Sequence, residues 1–417
     1  MEKKWMSWRG CWDYRRKDSR FENSGLCGKN DMSVRTIDEC FYQIRNGANI
    51  KQGAVDGGYP ITRIETTAND RFNRDRMGYA GITDIKKYEN YVLQDGDLLM
   101  SHINSTQYLG RTVLYEKQGD EKIIHGMNLL GLKARRDIII PAYARYCFYS
   151  QPFREQIGRI TKKSVNQASF AVADLKKIKI IVPDLSEQCE VIDILNRVNQ
   201  VIEDRQRELR KMDDLIKARF VEMFGTGNYP IEKLGAVCKK ITDGTHKTPT
   251  YLNEGITFIS AKNIVNGELD FTDIKYISEI EYQEIQKRCQ TAIYDILLSK
   301  SGSLGSPVIV KTEKKLGLFE SLAILKYDRK KLVPEFLCEQ LKTDRIQRQF
   351  TTGTKGVAIK HLHLGVIADT DIIVPALDEQ KEFADFVHQV NKSKVKVQKA
   401  LDETQKLFDS LMQQYFG

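Results

Sequence analysis

The stretch Ile180–Gln188, IIVPDLSEQ, returns 192 positions later as IIVPALDEQ at Ile372–Gln380. Run forward without a gap, the two copies align Val198-Asn199 with Val390-Asn391, Leu209 with Leu401, Leu215 with Leu407, and Phe224-Gly225 with Phe416-Gly417. About a third of the 46 aligned positions are identical. A self-similarity of this length governs the architecture, because each copy repeats one structural unit. The chain is therefore read as two halves.

Each copy opens with β-branched residues ending in Pro (Pro183, Pro375), a strand closed by a residue that cannot donate to a ladder. Ser186 or Asp378 then offers an N-cap, and no Pro or Gly interrupts the chain until Gly225 and Gly417. Alternating steps of four and three give a first seam of Val191, Leu195, Val198, Ile202, Arg205, Leu209, Met212, Ile216, Arg219 and Met223. In the second copy the same register gives Phe383, Val387, Val390, Lys394, Val397, Leu401, Thr404, Phe408, Leu411 and Tyr415. An apolar period of 3.5 residues sustained for five heptads is a coiled-coil seam. Each helix would be roughly 55 Å long at 1.5 Å per residue.

Charge separates the repeated segments from the rest. Residues 32–183 carry 23 basic against 16 acidic side chains, a net +7, and residues 226–375 carry 21 against 18, a net +3. The repeated segments, 184–225 and 376–417, are net −3 and −1. Basic blocks that meet a polyanion and acidic helices that meet protein would produce this partition. No apolar run approaches a membrane span of roughly 18–20 residues, and the start lacks the apolar core of a secretory signal. The eight cysteines are scattered singly, without a Cys-x-x-Cys pair, so reduced thiols in a cytoplasmic protein are expected.

The two basic blocks share landmarks in the same order. GANIKQGAVDGG from Gly47 answers DGTHKTPTYLNEG from Asp243; GDLLMS from Gly96 answers YDILLS from Tyr294; LGRTVL from Leu109 answers LGSPVI from Leu304. Both end on a basic, polar segment, TKKSVNQAS from Thr161 and TTGTKGVAIKH from Thr351. Short β-branched strands, glycine turns and helical stretches at 142–158 and 334–350 predict two mixed α+β domains. Candidate DNA contacts are Arg63, Arg71, Arg74, Arg76, Lys162, Lys163, Asn166 and Gln167 in the first block. Those in the second are Thr245, His246, Lys247, Lys262, Asn263, Lys300, Ser301, Lys355 and Lys360. Arg and Lys neutralise phosphates, and Arg, Asn and Gln can read base edges.

Catalytic signatures are missing from the sequence. All nine prolines are isolated, which rules out the Asn/Asp-Pro-Pro-aromatic motif of amino-methyltransferases. There is no Rossmann fingerprint and no phosphate loop. His361-x-His363 lacks the Cys, Asp or Glu companions of a metal site and reads as a strand pair. His246 has a catalytic look, yet the aligned part of the first block holds no histidine, so its loop reads as structural or DNA-facing. No catalytic, cofactor-binding or metal-binding residue is assigned.

The duplicated I-I-V-P-x-L-x-E-Q entry, ARFVEMFG at the first helix end, DGTHKTP, and NGANIKQGAVDGGYPITRIET together resemble the specificity (S) subunit of type I restriction–modification systems. The resemblance covers residues 32–417 in the family's order. It implies a target-recognition domain over 32–183, a long helix over 184–225, a second recognition domain over 226–375 and a second helix over 376–417. The helices would run antiparallel as a coiled coil with a pseudo-twofold internal repeat. It further implies that each domain reads one half of a bipartite target in double-stranded DNA. Two methyltransferase subunits would dock on the helices, and translocating restriction subunits would complete the assembly. S-adenosylmethionine, ATP and Mg2+ would sit on those partners and no cofactor on this chain. Residues 1–31 have no counterpart in the second half and read as a disordered extension or a mistaken start. Three other readings compete: an independent DNA-binding regulator, which would need a reading helix not evident here; a scaffold indifferent to DNA; and a single-chain methyltransferase or nuclease, which the missing motifs oppose.

Overall fold

The computed structural model describes residues 33–50, 57–164, 167–351 and 361–417. Residues 1–31, Asn166, Lys355 and Lys360 lie outside these. The chain divides into two compact units, Met1–Asp204 with Leu401–Gly417, and Arg205–Ala400.

The first unit is built on a four-stranded antiparallel sheet in the order Phe41–Asn46, Leu129–Ala134, Leu98–Ser101, Thr112–Leu114. Leu98-Leu99-Met100 is buried throughout because this inner strand is covered on both faces. Leu98 and Met100 join the core under helices Pro141–Tyr149 and Gln151–Ile160, while Leu99 turns to Val113, Tyr115 and Ile123 on the other side. The second unit repeats the plan with Cys238–Asp243, Leu322–Tyr327, Ile296–Ser299 and Pro307–Ile309. Here Ile296 and Leu298 face helix Pro334–Lys342, and Leu297 faces an extra three-stranded sheet of Lys275–Ile277, Ile256–Ile259 and Leu316–Leu318. The Ile-Ile-Val runs form two-stranded ribbons, Ser33–Thr36 on Lys179–Val182 and Ile231–Lys233 on Asp371–Ile373.

Two local readings are corrected. The helical stretches at 142–158 and 334–350 are each two helices, broken at Ser150 and Thr343, both of which adopt extended backbone. Pro152 and Ser150 account for the first break: the proline has no N–H to continue the first helix's ladder, and the Ser150 hydroxyl caps the second helix by accepting the Phe153 N–H at 3.4 Å. The long helices start earlier than Ser186 or Asp378. The first runs Leu185–Phe224 and is capped by Asp184, whose Oδ1 accepts the Glu187 N–H at 2.9 Å. The second runs Leu377–Phe416, with Glu379 reaching back to the Ala376 N–H at 3.2 Å.

The repeated glutamine explains the repeated motif. Gln188 is fully buried; its amide oxygen accepts the Ile140 N–H at 2.8 Å and its nitrogen donates to Ile138 O and Pro183 O. Gln380, equally buried, accepts from Val333 N–H at 2.9 Å and donates to Lys331 O and Pro375 O. Each amide thus ties the start of a long helix to the segment entering the helix at Pro141 or Pro334. A buried amide whose bonds are all made admits no other side chain.

Within each unit the two long helices pack antiparallel. In the first, Val191, Ile192 and Leu195 share a core with Phe408, Leu411, Met412, Tyr415 and Phe416. In the second, Met212, Ile216, Phe220 and Phe224 share one with Phe383, Val387 and Val390. The terminal phenylalanines play matching parts: Phe224 meets Phe336 at 4.9 Å and Phe416 meets Tyr143 at 5.2 Å between ring centroids. Charged seam positions are neutralised across the pair, Arg219 on Glu382 at 2.8 Å and Lys394 on Asp213 at 2.5 Å. The six cysteines among the described residues are free thiols, five of them buried.

Candidate nucleic-acid interface

In the second unit, three stretches far apart in sequence come together on the turn Phe319–Ser321. Glu320 donates its N–H to Thr245 O at 3.0 Å, and its carboxylate lies 2.7 Å from His246 Nδ1. Ser321 accepts the Lys300 N–H on its carbonyl at 2.7 Å and the Ala261 N–H on its hydroxyl at 3.0 Å. Thr245–Lys247, Lys262-Asn263 and Lys300-Ser301 therefore share one rim at the end of the main sheet.

The candidates on this rim are not alike. Lys247 and Lys262 are exposed. Lys300 is buried and its ammonium is bonded to the Asp243 carboxylate. Asn263 is buried as well: its oxygen accepts the Ser260 N–H, and its nitrogen donates to Asp270 O and Asp273 O. With every bond of the amide spent, Asn263 shapes the rim rather than facing a ligand. Sequence reasoning missed Asp243, Glu320 and Ser321 as organisers, since only the fold brings them beside the basic loops.

The first unit has a corresponding rim. Ala48 donates to His125 O at 2.7 Å, Thr62 donates to Ile124 O at 2.9 Å, and Gly126 donates to the Thr62 hydroxyl at 2.9 Å. Arg63, next to Thr62, is exposed, as Lys262 is beside Ala261. His102 follows the inner strand just as Lys300 does in the other unit. It is buried, its Nδ1 has no hydrogen-bond partner among the described residues, and burial lowers its pKa. His125 is buried against Gly131, where a Cβ would lie 2.7 Å from the ring; burial takes its pKa down to about 4.

The arginines of the polar loop divide in two ways. Arg74 forms a fork with Glu121 (2.5 and 2.9 Å) beside the paired Phe72 and Tyr115 rings, and its hydrogen bond draws the Glu121 carboxyl down to about 2. Arg71 pairs with Glu203 of the first long helix at 2.5 Å. Arg76 is exposed and has no ion pair among the described residues. Lys162 and Lys163 are also exposed, on a strand that pairs with Ala168-Ser169 and through it with Ile103-Asn104; Gln167 is exposed beside them.

The helices keep apolar side chains outside their seam. Ile194, Val201 and Leu215 are exposed at seven- and fourteen-residue spacing. Leu215 is 50% exposed, and Leu407, its partner in the repeat, is 51% exposed. Among the described residues, no helix is long and apolar enough to cross a membrane, and no group of three or more His, Cys, Asp or Glu is placed to hold a metal ion.

Comparison with known proteins bears on this arrangement. The family described as the type I restriction modification DNA specificity domain matches the sequence twice, at residues 29–211 and 228–404. A Methanocaldococcus jannaschii protein that carries the name MjaX specificity subunit of a type I restriction enzyme is 27% identical over 404 residues, 89% of this chain and 91% of its own. The EcoKI specificity subunit of Escherichia coli K12 is 24% identical over 160 residues, 38% of this chain and 33% of its own. Among solved structures, the S subunit of a type I restriction–modification system from M. genitalium covers 94% of this chain and 98% of its own. Its TM-score is 0.52 at 15% identity, a likeness of fold.

Proposed function

This chain belongs to the type I restriction–modification specificity-subunit family, a non-catalytic component, and from that premise we propose that each unit reads one half of a bipartite DNA target. The observation that carries the proposal is the pair of corresponding rims, each presenting an exposed cation, Arg63 or Lys262, on the same kind of sheet. Phosphate contacts would come from Arg63, Arg76, Lys162, Lys163, Lys247 and Lys262, exposed cations of the candidate set. Reading two short half-sites on one chain makes the second contact intramolecular, so discrimination multiplies.

The helices would set the spacer between half-sites. Forty residues span about 60 Å at 1.5 Å per residue, more than the roughly 34–36 Å of one DNA turn. They would also dock two methyltransferase subunits, one on each copy of the exposed leucine, Leu215 and Leu407. Two equivalent apolar sites on one internally repeated chain fit two copies of one partner. Restriction subunits would join that complex. S-adenosylmethionine, ATP and Mg2+ would be held by the partners, which would methylate adenine N6 in the cytoplasm.

The test is adenine methylation across the source genome by long-read sequencing, with and without this gene. Loss of methylation at a split motif with a fixed unspecified spacer is the expected result. Unchanged methylation in a strain whose partner subunits are active would refute the proposal.

A further inference from the structure

Asp243, the last residue of its strand, is buried and gathers an unusual set of partners. Lys300 and Arg288 bond its carboxylate, and His246 Nε2 lies 3.3 Å away. Burial pushes the Asp243 carboxyl up, but the hydrogen bond and charge of Lys300, with the charge of Arg288, overcome this and hold it below the ordinary range. The other nitrogen of His246 faces Glu320 at 2.7 Å. Both ring nitrogens therefore face carboxylates, and the half-exposed imidazole is turned away from a base edge.

The loop around this histidine is clamped. Thr245 donates to Leu318 O at 2.9 Å, and Thr250 donates to a Glu281 carboxylate oxygen at 2.9 Å. At Gly244 a Cβ would stand 2.0 Å from Leu318 O, so only glycine lets the loop lie this close to the sheet. Between these anchors Lys247, Thr248 and Thr250 are exposed, followed by a half-exposed Tyr251. A rigid loop that presents two hydroxyls and an aromatic ring beside a lysine placed for phosphate has the chemistry of a base-reading surface. Among the described residues the first unit has no equivalent clamp: the registers of the two sheets place Asn46 where Asp243 stands and His102 where Lys300 stands.

We infer that His246, held between Asp243 and Glu320, is a positioning residue for the half-site read by the second unit. It fixes the loop 244–250 so that Lys247 and its neighbours meet DNA in one register. The inference rests on the reading of the chain as a DNA-specificity subunit.

Methylomes of cells carrying the complete complex test it, with wild type compared against His246→Ala, Glu320→Gln and Lys247→Ala. His246→Ala is expected to relax one or two base positions in one half of the split motif, raising the near-cognate to cognate ratio on the order of tenfold. The other half and the spacer stay unchanged. Glu320→Gln relaxes the same positions, and it keeps the question open to measurement if the histidine variant folds poorly. Lys247→Ala lowers methylation at all sites without relaxing any. A wild-type motif retained by both clamp variants, relaxation in both halves, or a uniform loss without relaxation overturns the inference. A wild-type chain that directs no split motif at all overturns the specificity-subunit reading instead.

Discussion

Replacing Gln380 with leucine measures what the repeated amide contributes. The side chain is fully buried and makes three hydrogen bonds to backbone, one from Val333 N–H and two to the carbonyls of Lys331 and Pro375. Leucine fills a similar volume but strands those three groups. Three buried orphans at about 1.5–2 kcal/mol each, less the about 1–1.5 kcal/mol returned by burying the added apolar surface, leave a net loss of about 3–5 kcal/mol. For a unit of this size one kcal/mol corresponds to about 2–4 °C, which places the fall in melting temperature at about 6–20 °C. Differential scanning calorimetry of the purified chain reads it directly. Gln188→Leu should lower the first unit's transition comparably, because Gln188 makes the matching three bonds. A shift below about 3 °C for both variants would show that the amides are not needed to hold the helix starts, and the explanation of the repeat would fail.

Other perturbations test separate parts of the argument. His125 is buried neutral with its pKa lowered to about 4 from an ordinary 6.5, so the unfolded chain binds the proton first and first-unit stability falls as pH drops from 6.5 towards 4. Urea midpoints across that range should show the slope, and His125→Asn should flatten it. Leu407→Arg and Leu215→Arg should each weaken capture of the methyltransferase subunit at least several-fold while leaving the chain's own melting within about 2 °C, since both side chains are half exposed. Pull-down with the partner subunit checks the pair, and an unaffected complex would move the docking site elsewhere. Lys163→Ala should reduce the slope of log affinity against log salt by about one and weaken binding to cognate and unrelated DNA alike. Fluorescence anisotropy over a salt series measures this; a loss confined to cognate DNA would make Lys163 a base contact.

Much of the plan is local and was therefore legible. The period of 3.5 residues lies in consecutive side chains, and in the structure positions such as Leu195, Ile216, Phe383 and Val387 are buried between the helices. The acidic helices and basic blocks could likewise be counted directly. The rims were legible only in part. Lys247 and Lys262 are exposed, whereas Lys300, Asn263 and Arg74 carry the same chemistry and spend it inside the fold, on Asp243, on backbone carbonyls and on Glu121.

Sequence alone determined that the chain is a duplicated pair of α+β units with two long heptad helices, because repetition and periodicity survive without coordinates. Only the tertiary structure decided which polar side chains are free. Whether a lysine faces solvent or a buried aspartate depends on residues tens of positions away: Asp243 meets Lys300, and Glu320 meets His246, through strand pairing that no short window of sequence encodes. The same holds for Gln188 and Gln380, whose repetition was plain in the sequence. Their reason, three backbone groups that would otherwise be buried without partners, exists only once the chain is folded.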